Sequence, residues 1–308
     1  MEKDFHYDLV YAIATLTEME APEVVAYASQ HVDDNSDEAF RVEGGEALFP
    51  ERLAAGDGFY YPQMTQCRSP GSMTPFVQRY VFVPFHFLPG DPVVQLGGKT
   101  NPYCVTPNSR RGRSLLIEAL KGGNPYEIGI ALHTFADSWS HQRFTGLQQE
   151  WNSFHERRAF GDGEPSIIGH EDAGKRPDIL SERWVDPRFG HEVIQNSERA
   201  LEAAREIFAL LRTKTTKGPF WKEVELEFET ILEARDREDR EARIRDFLEG
   251  RGDGAFPPYS RWTWWKEASA ESSSGLTLKP EFIRTHWYRF QQAAKAHLAR
   301  VLTLIKDL

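Results

Sequence analysis

Apolar residues recur at a helical period along much of the chain, and polar or glycine-containing stretches divide the pattern into segments. Asp8 is a good N-cap residue followed by Leu-Val-Tyr-Ala-Ile-Ala, which predicts a helix over 8–17. Ala21-Pro22-Glu23 opens a second helix with proline in its first turn; it runs to about His31 and ends in Val32-Asp33-Asp34-Asn35. Residues 35–107 are rich in Gly, Pro and aromatics with weak periodicity, which predicts loops, short helices and a brief strand at Tyr80–Phe85. Pro107-Asn108-Ser109 caps a helix to about Lys121, closed by Gly122-Gly123. Asn124-Pro125 starts the next helix, which packs Ile128, Ile130, Leu132 and Phe135 and extends through His141. Helix is also expected over 146–159, followed by a long ordered loop over 160–190 broken by repeated Gly and Pro. Three further helical stretches follow: 191–214, 220–249 with a break near Asp236, and 281–307. No alternating strand pattern is sustained and no internal repeat is visible. The expectation is an all-α chain, with 1–308 one metal-binding domain and 220–280 a peripheral helical subregion.

Composition narrows the function. The chain has 308 residues, 40% hydrophobic, enough for a sizeable core, with a net charge of −10. That balance disfavours a dedicated nucleic-acid surface, which carries broad basic patches, but is compatible with an enzyme that grips phosphate through metal ions. No basic region followed by an apolar run opens the chain, and no apolar run is long enough to span a bilayer, so a cytoplasmic location without a membrane span is expected. Cys67 and Cys104 lie outside any zinc-type spacing; two unpaired thiols are the expectation and a single bridge the alternative.

The strongest chemical signal is His133-Thr-Phe-Ala-Asp137-Ser-Trp-Ser-His141. It sets an imidazole, a carboxylate and an imidazole at i, i+4 and i+8. Each step of four advances about 40° around a helix, so all three share one side, with the two His backbones about 12 Å apart. That span suits two ions about 3.5–4 Å apart with Asp137 between them better than a single ion, and paired ions of this kind most often serve hydrolysis.

Other candidates surround it. His6-Tyr7-Asp8 brings an imidazole and a carboxylate to a helix start, where ordinary capping by Asp8 is the competing reading. Asp33-Asp34 ends a helix, where the dipole already disfavours negative charge and a nearby cation would relieve it. His86 sits among aromatics, as a buried structural His would, but a dry shell also suits a ligand. His170 lies in the glycine-rich loop Ile168-Gly-His-Glu-Asp172, with Asp178 close behind. Arg110, Arg111 and Arg143 would hold phosphate oxygens if they line the cleft, and otherwise form a solvated face.

The His133-x3-Asp137-x3-His141 run resembles the central motif of the zinc-dependent phospholipase C and P1 nuclease superfamily. The ligand order is similar: an early His at His6, an Asp at Asp33 or Asp34, a later His at His86, and a last His at His170 with Asp172 or Asp178. The chain is also similar to an uncharacterised bacterial family that begins His-Tyr-Asp and carries the Asp-Asp-Asn and His-Thr-Phe-Ala-Asp-Ser-Trp-Ser-His segments. The resemblance covers residues 6–180. It implies an all-α fold with two or three divalent ions, zinc first and iron or manganese as alternatives. It implies His6, Asp8, His86, His133, Asp137, His141 and His170 as ligands, and Asp33 or Asp34 to orient or deprotonate a water. The superfamily uses an N-terminal amine as a ligand, and Asp8 is expected in its place here. The implied function is metal-dependent hydrolysis of a small-molecule phosphate ester. A di-iron or di-manganese oxidoreductase and a non-catalytic protein whose helices are stapled by metal are the alternatives.

Overall fold

The computed structural model of the chain describes residues 1–36, 40–42, 59–68, 74–154, 167–190, 192–215, 217–253, 256–272 and 275–308. The described residues are mostly helical, and none of their helices is long and apolar enough to cross a membrane. The principal helices are α1 (Val10–Leu16), α2 (Pro22–Asp34), α3 (Arg110–Gly122), α4 (Pro125–Ser140), α5 (Asn196–Leu211), α6 (Trp221–Leu232), α7 (Arg237–Arg251), α8 (Thr263–Ala268) and α9 (His286–Leu304).

Helix α4 is the axis of the fold. Every residue from Ile128 to Ser140 is buried, and α2, α3, α5 and α9 pack around it. A helix covered on all sides is a core element rather than an amphipathic surface one. Its start is specified locally: Asn124 accepts a hydrogen bond from the Tyr126 amide and Pro125 fills the first turn. The α3 helix before it is capped by Ser109, which accepts from the Gly112 amide, and closed by Gly123 at φ 70°. The crossing of α2 over α4 is close. A Cβ on Gly129 would lie 2.3 Å from the Val25 carbonyl oxygen, so only glycine fits.

Among the described residues two stretches are π-helical, Asp4–Leu9 and Gln78–Phe82. The first is buried throughout and runs directly into α1. Helix α7 folds back on it: Arg240 pairs with Asp4 at 2.6 Å, and Lys3 bridges Asp8 and Glu241 at 2.9 and 3.2 Å. The expected helix boundary near Asp236 falls between α6 and α7.

Several expectations change. The strand expected at Tyr80–Phe85 is instead the end of the second π-helical turn followed by a short helical turn at Val83–Phe85. Pro84 lacks the N–H that a strand ladder needs. The 146–159 helix is not formed over 146–154, where the only helical piece is a 3-10 turn at Glu150–Asn152; residues 155–166, including His155, lie outside the described residues. The helix expected from His191 begins at Asn196, and His191 itself lies outside the described residues. Before it, Arg183–Asp186 pairs antiparallel with Glu192–Gln195. Trp184 and Ile194 turn inward beside Phe144, whereas the paired Val185 and Val193 face solvent. Among the described residues three other short antiparallel pairs join Phe40–Arg41 to Phe59–Tyr60, Val93–Val94 to Thr100–Asn101, and Ser269–Ser272 to Gly275–Leu278. Cys67 and Cys104 are both free and buried.

Candidate metal centre

The inward face of α4 meets three other elements at one point. His133 and Asp137 project from α4, and His141 follows its last helical residue. His6 comes from the π-helical N-terminal segment, Asp33 from the last turn of α2, and His86 from the residue after the Val83–Phe85 turn. His170 and Asp178 come from the loop after residue 166. Their ligand atoms form three compact groups: His6, His133 and Asp137; Asp33, His86 and His133; and His141, His170 and Asp178.

The hydrogen-bond directions of the imidazoles are set by backbone carbonyls. His133 Nδ1 donates to the Ser29 carbonyl at 2.9 Å, a contact made available by the close α2–α4 crossing one turn earlier. His86 Nε2 donates to Thr65 at 2.9 Å, His141 Nδ1 to His86 at 3.0 Å, and His170 Nδ1 to Gly174 at 2.8 Å. A neutral imidazole has one donor and one acceptor nitrogen, so each ring turns a lone pair inward. His6 Nδ1 is buried without a hydrogen-bond partner, and its ring stacks on His133 at a centroid distance of 3.8 Å.

The inward atoms are crowded. His133 Nε2 lies 3.1 Å from His86 Nδ1, and both approach Asp137 Oδ2, at 3.1 and 3.2 Å. His6 Nε2 lies 3.0 Å from Asp137 Oδ1. Asp33 Oδ1 is 3.9 Å from both His86 Nδ1 and His133 Nε2. Asp178 Oδ1 lies 3.0 Å from His141 Nε2, and Asp178 Oδ2 lies 3.3 Å from His170 Nε2. Ligands held about 2.0–2.1 Å from one tetrahedral ion stand about 3.3 Å apart, so these spacings fit shared cations. Facing lone pairs repel unless a proton or a cation lies between them. At His141 the carboxylates of Asp137 and Asp178 outweigh burial and favour a proton, but at His133 and His6 protons are a poor answer. Burial holds His133 at about 4, with His6 adding to the effect, and burial followed by the nearby amine holds His6 at about 4.

The carboxylates are equally demanding. Burial favours the neutral acid at Asp137, but His141, the Met1 amine, His133 and His6 outweigh it and hold the carboxyl well below its usual range. Asp178 is held low in the same way by His170, the amine and His141. The Met1 nitrogen sits 2.6 Å from Asp137 Oδ1, 3.2 Å from Asp178 Oδ1 and 3.1 Å from Ser140 Oγ. Burial disfavours its charged form, yet Asp137, Asp178 and Asp33 push it up to about 11. The centre therefore attracts cations, and an ammonium is the one supplied by the chain itself.

One side of the cluster opens to a cavity of about 500 Å³. Phe82, Phe87, Ile168, Gln66 and Cys67 form its walls, with Asp33, Glu171 and Asp178 among the acidic groups. Phe87 stacks on His141 at 4.5 Å, drying one flank. No Arg or Lys lines this cavity among the described residues.

Of the residues singled out in the sequence, His6, His86, His133, Asp137, His141 and His170 converge. Asp33 joins them as a member of a ligand group. Asp34 does not: its Oδ2 accepts from the Tyr259 hydroxyl at 2.6 Å. Asp8 also turns away, onto Lys3. The Met1 nitrogen, rather than Asp8, lies beside Asp137 and Asp178. Between Asp172 and Asp178 the structure selects Asp178, because Asp172 accepts from Ser153 Oγ and the Phe154 amide. The arginines lie elsewhere. Arg110 is exposed outside the cavity, Arg111 donates to the Gly90 and Leu304 carbonyls, and Arg143 pairs with Glu192. The resemblance points to the amine, with Asp8 expected in its place, whereas Ser140 carries no sequence signal beyond its neighbours.

No curated protein and no solved structure matches the chain. Residues 1–305 match a family described only as a family of unknown function, DUF6765, so this histidine- and aspartate-lined centre belongs to a member of that family.

Proposed function

We propose that the chain is a metal-dependent hydrolase of phosphate esters. The observation that carries this reading is the inward convergence of five imidazoles and three carboxylates beside an open cavity. Divalent ions held by the three His/Asp groups would supply Lewis acidity and a water acidic enough to ionise near neutral pH. Zinc suits a His-rich set with carboxylates, and iron or manganese are the other candidates.

The chain's own residues then divide the work. The backbone acceptors at Ser29, Thr65, His86 and Gly174 hold four rings with their lone pairs inward, so little reorganisation is needed. Asp33, with its side chain 19% exposed at the cavity wall, takes the proton from the attacking water. Phe82, Phe87 and Ile168 exclude bulk water and meet the apolar part of the substrate. With no Arg or Lys in the wall among the described residues, bound ions would supply the positive charge that a phosphate requires. The cavity also favours catalysis over a purely structural site, which would be closed on all sides.

The experiment is elemental analysis of untagged protein, with the His133→Ala variant beside it, followed by a screen of phosphomonoesters and phosphodiesters. Two or three equivalents of zinc, reduced in the variant together with ester hydrolysis, support the reading. Metal-replete protein with no turnover of any phosphate ester rejects the hydrolase assignment, and absence of bound metal rejects the centre.

A further inference from the structure

His86 differs from His133, His141 and His170, the other three rings of the centre that donate to the backbone. It turns Nδ1 inward and Nε2 outward, so its orientation depends on an acceptor at the far end of the ring. That acceptor is the Thr65 carbonyl. It lies in the stretch 61–67, which has no helix or strand to hold it. We propose that Asn35 and Gln291 are positioning residues that hold this stretch and so fix His86 for the centre; the inference rests on reading the cluster as a metal site.

Both amides are completely buried, as is Thr65. The Gln63 amide donates to Gln291 Oε1 at 2.9 Å. Gln291 Nε2 donates to Asn35 Oδ1 at 2.7 Å. Asn35 Nδ2 donates to the Gln63 carbonyl at 2.7 Å and to Thr65 Oγ1 at 3.2 Å. The two side-chain amides thus close a ring on the backbone of Gln63. A backbone N–H can only donate and a carbonyl can only accept, so neither amide can flip without setting like groups against each other. The Asn35 carbonyl adds bonds from the Thr65 and Gln66 amides at 3.0 and 3.1 Å, and Thr65 Oγ1 donates to Val32 at 2.7 Å. Every polar group of the Asn35 side chain is used. Asn35 also follows Asp33 and Asp34 directly, so one short segment supplies both the proton acceptor and the support of a ligand. Gln291 brings α9, remote in sequence, into the same task.

The perturbation is Gln291→Glu, which turns the donor to Asn35 into an acceptor. Gln291→Met, which removes the donor without adding charge, is the second variant should the charge prevent folding. Phe228→Leu, in the buried core of α6 far from this ring, controls for lost stability. Zinc affinity is measured by competition with a chromophoric chelator. Long-range proton–nitrogen spectra of the zinc-loaded protein report which His86 nitrogen carries the proton. Zinc affinity is expected to fall about 10–100-fold in the Gln291 variants, with loss of the His86 Nε2–H signature, while Phe228→Leu keeps both. Zinc-binding wild type with unchanged affinity and an unchanged His86 signature in Gln291→Met overturns the positioning role and leaves the centre standing. An equal loss in Phe228→Leu overturns it too, by reducing the effect to stability. A wild type that takes up no zinc overturns the centre and the role together.

Discussion

Replacing Arg240 by Met tests the joint between α7 and the N-terminal π-helical segment. Arg240 and Asp4 are 3% and 1% exposed. The guanidinium donates through Nε to Asp4 Oδ2 at 2.8 Å, lies 2.6 Å from the same oxygen through its second terminal nitrogen, and donates to the Ala234 carbonyl at 2.5 Å. Asp4 Oδ1 already lacks a partner, so removing the arginine strands a buried carboxylate. Breaking one side of such a pair costs about 3–5 kcal/mol, because the remaining charge is left desolvated and uncompensated. For a chain of 308 residues that loss lowers the melting temperature by about 5–8 °C. The assay is calorimetric unfolding of wild type, Arg240→Met, Asp4→Leu and the double variant at one pH and one zinc concentration. Replacing both charges with apolar groups removes the desolvation penalty as well as the attraction, so the double variant is expected to recover most of the loss. A single-variant loss below about 1 kcal/mol, or a double variant as unstable as the summed singles, refutes the reasoning.

Asp8→Asn and Asp34→Asn are expected to keep the wild-type zinc content, because Lys3 and Tyr259 rather than the centre engage these carboxylates; elemental analysis checks both. Asp33→Asn is expected to slow ester hydrolysis about 100-fold or more with an unchanged circular dichroism spectrum, as loss of a proton acceptor does. Gly129→Ala sets a methyl against the Val25 carbonyl and Ala28, and is expected to cost about 1–3 kcal/mol or more in denaturant titration. His297 is held at about 4 by burial, so the native ring stays neutral where the unfolded ring, near 6.5, takes a proton. Its contribution is therefore complete above about pH 6.5 and is lost as pH falls towards 4, by about 3 kcal/mol in all. A His297→Gln variant is expected to flatten the stability profile in that window.

The helix carrying His133, Asp137 and His141 was readable because one period governs both its apolar residues and its ligands. His6, His86 and His170 were readable as candidates, since each stands where a glycine, an aromatic or a helix start gives an imidazole an unusual setting. Asp8 misled because its neighbourhood looked like a helix start, whereas winding begins at Asp4, and residues two apart on a helix do not face one another. A similar rule separates Asp33 from Asp34: neighbours on a helix diverge by about 100°, so only one of the pair can face the cluster. The arginines could not be placed, since the sequence does not reveal that α3, which carries Arg110 and Arg111, contributes no residue to the cavity wall. The strand expected at Tyr80–Phe85 shows tertiary packing overriding a β-prone composition. Asn35 and Gln291 act through a backbone carbonyl in a stretch without periodicity, which leaves no trace in spacing.

The two π-helical stretches carry a consequence for how such a centre could be gained or lost. Each is the kind of register a helix adopts when it accommodates one residue more than an α-helix would hold. One contains His6 and the other ends four residues before His86. Shortening either stretch by a single residue, with a return to α-helical winding, would re-aim the attached imidazole by about 100°. Two one-residue deletions would therefore dismantle two of the three ligand groups while touching no ligand. Counting residues between landmarks, such as from His6 to the start of α2, is then a more telling test of whether a related chain keeps the centre than checking the ligands alone.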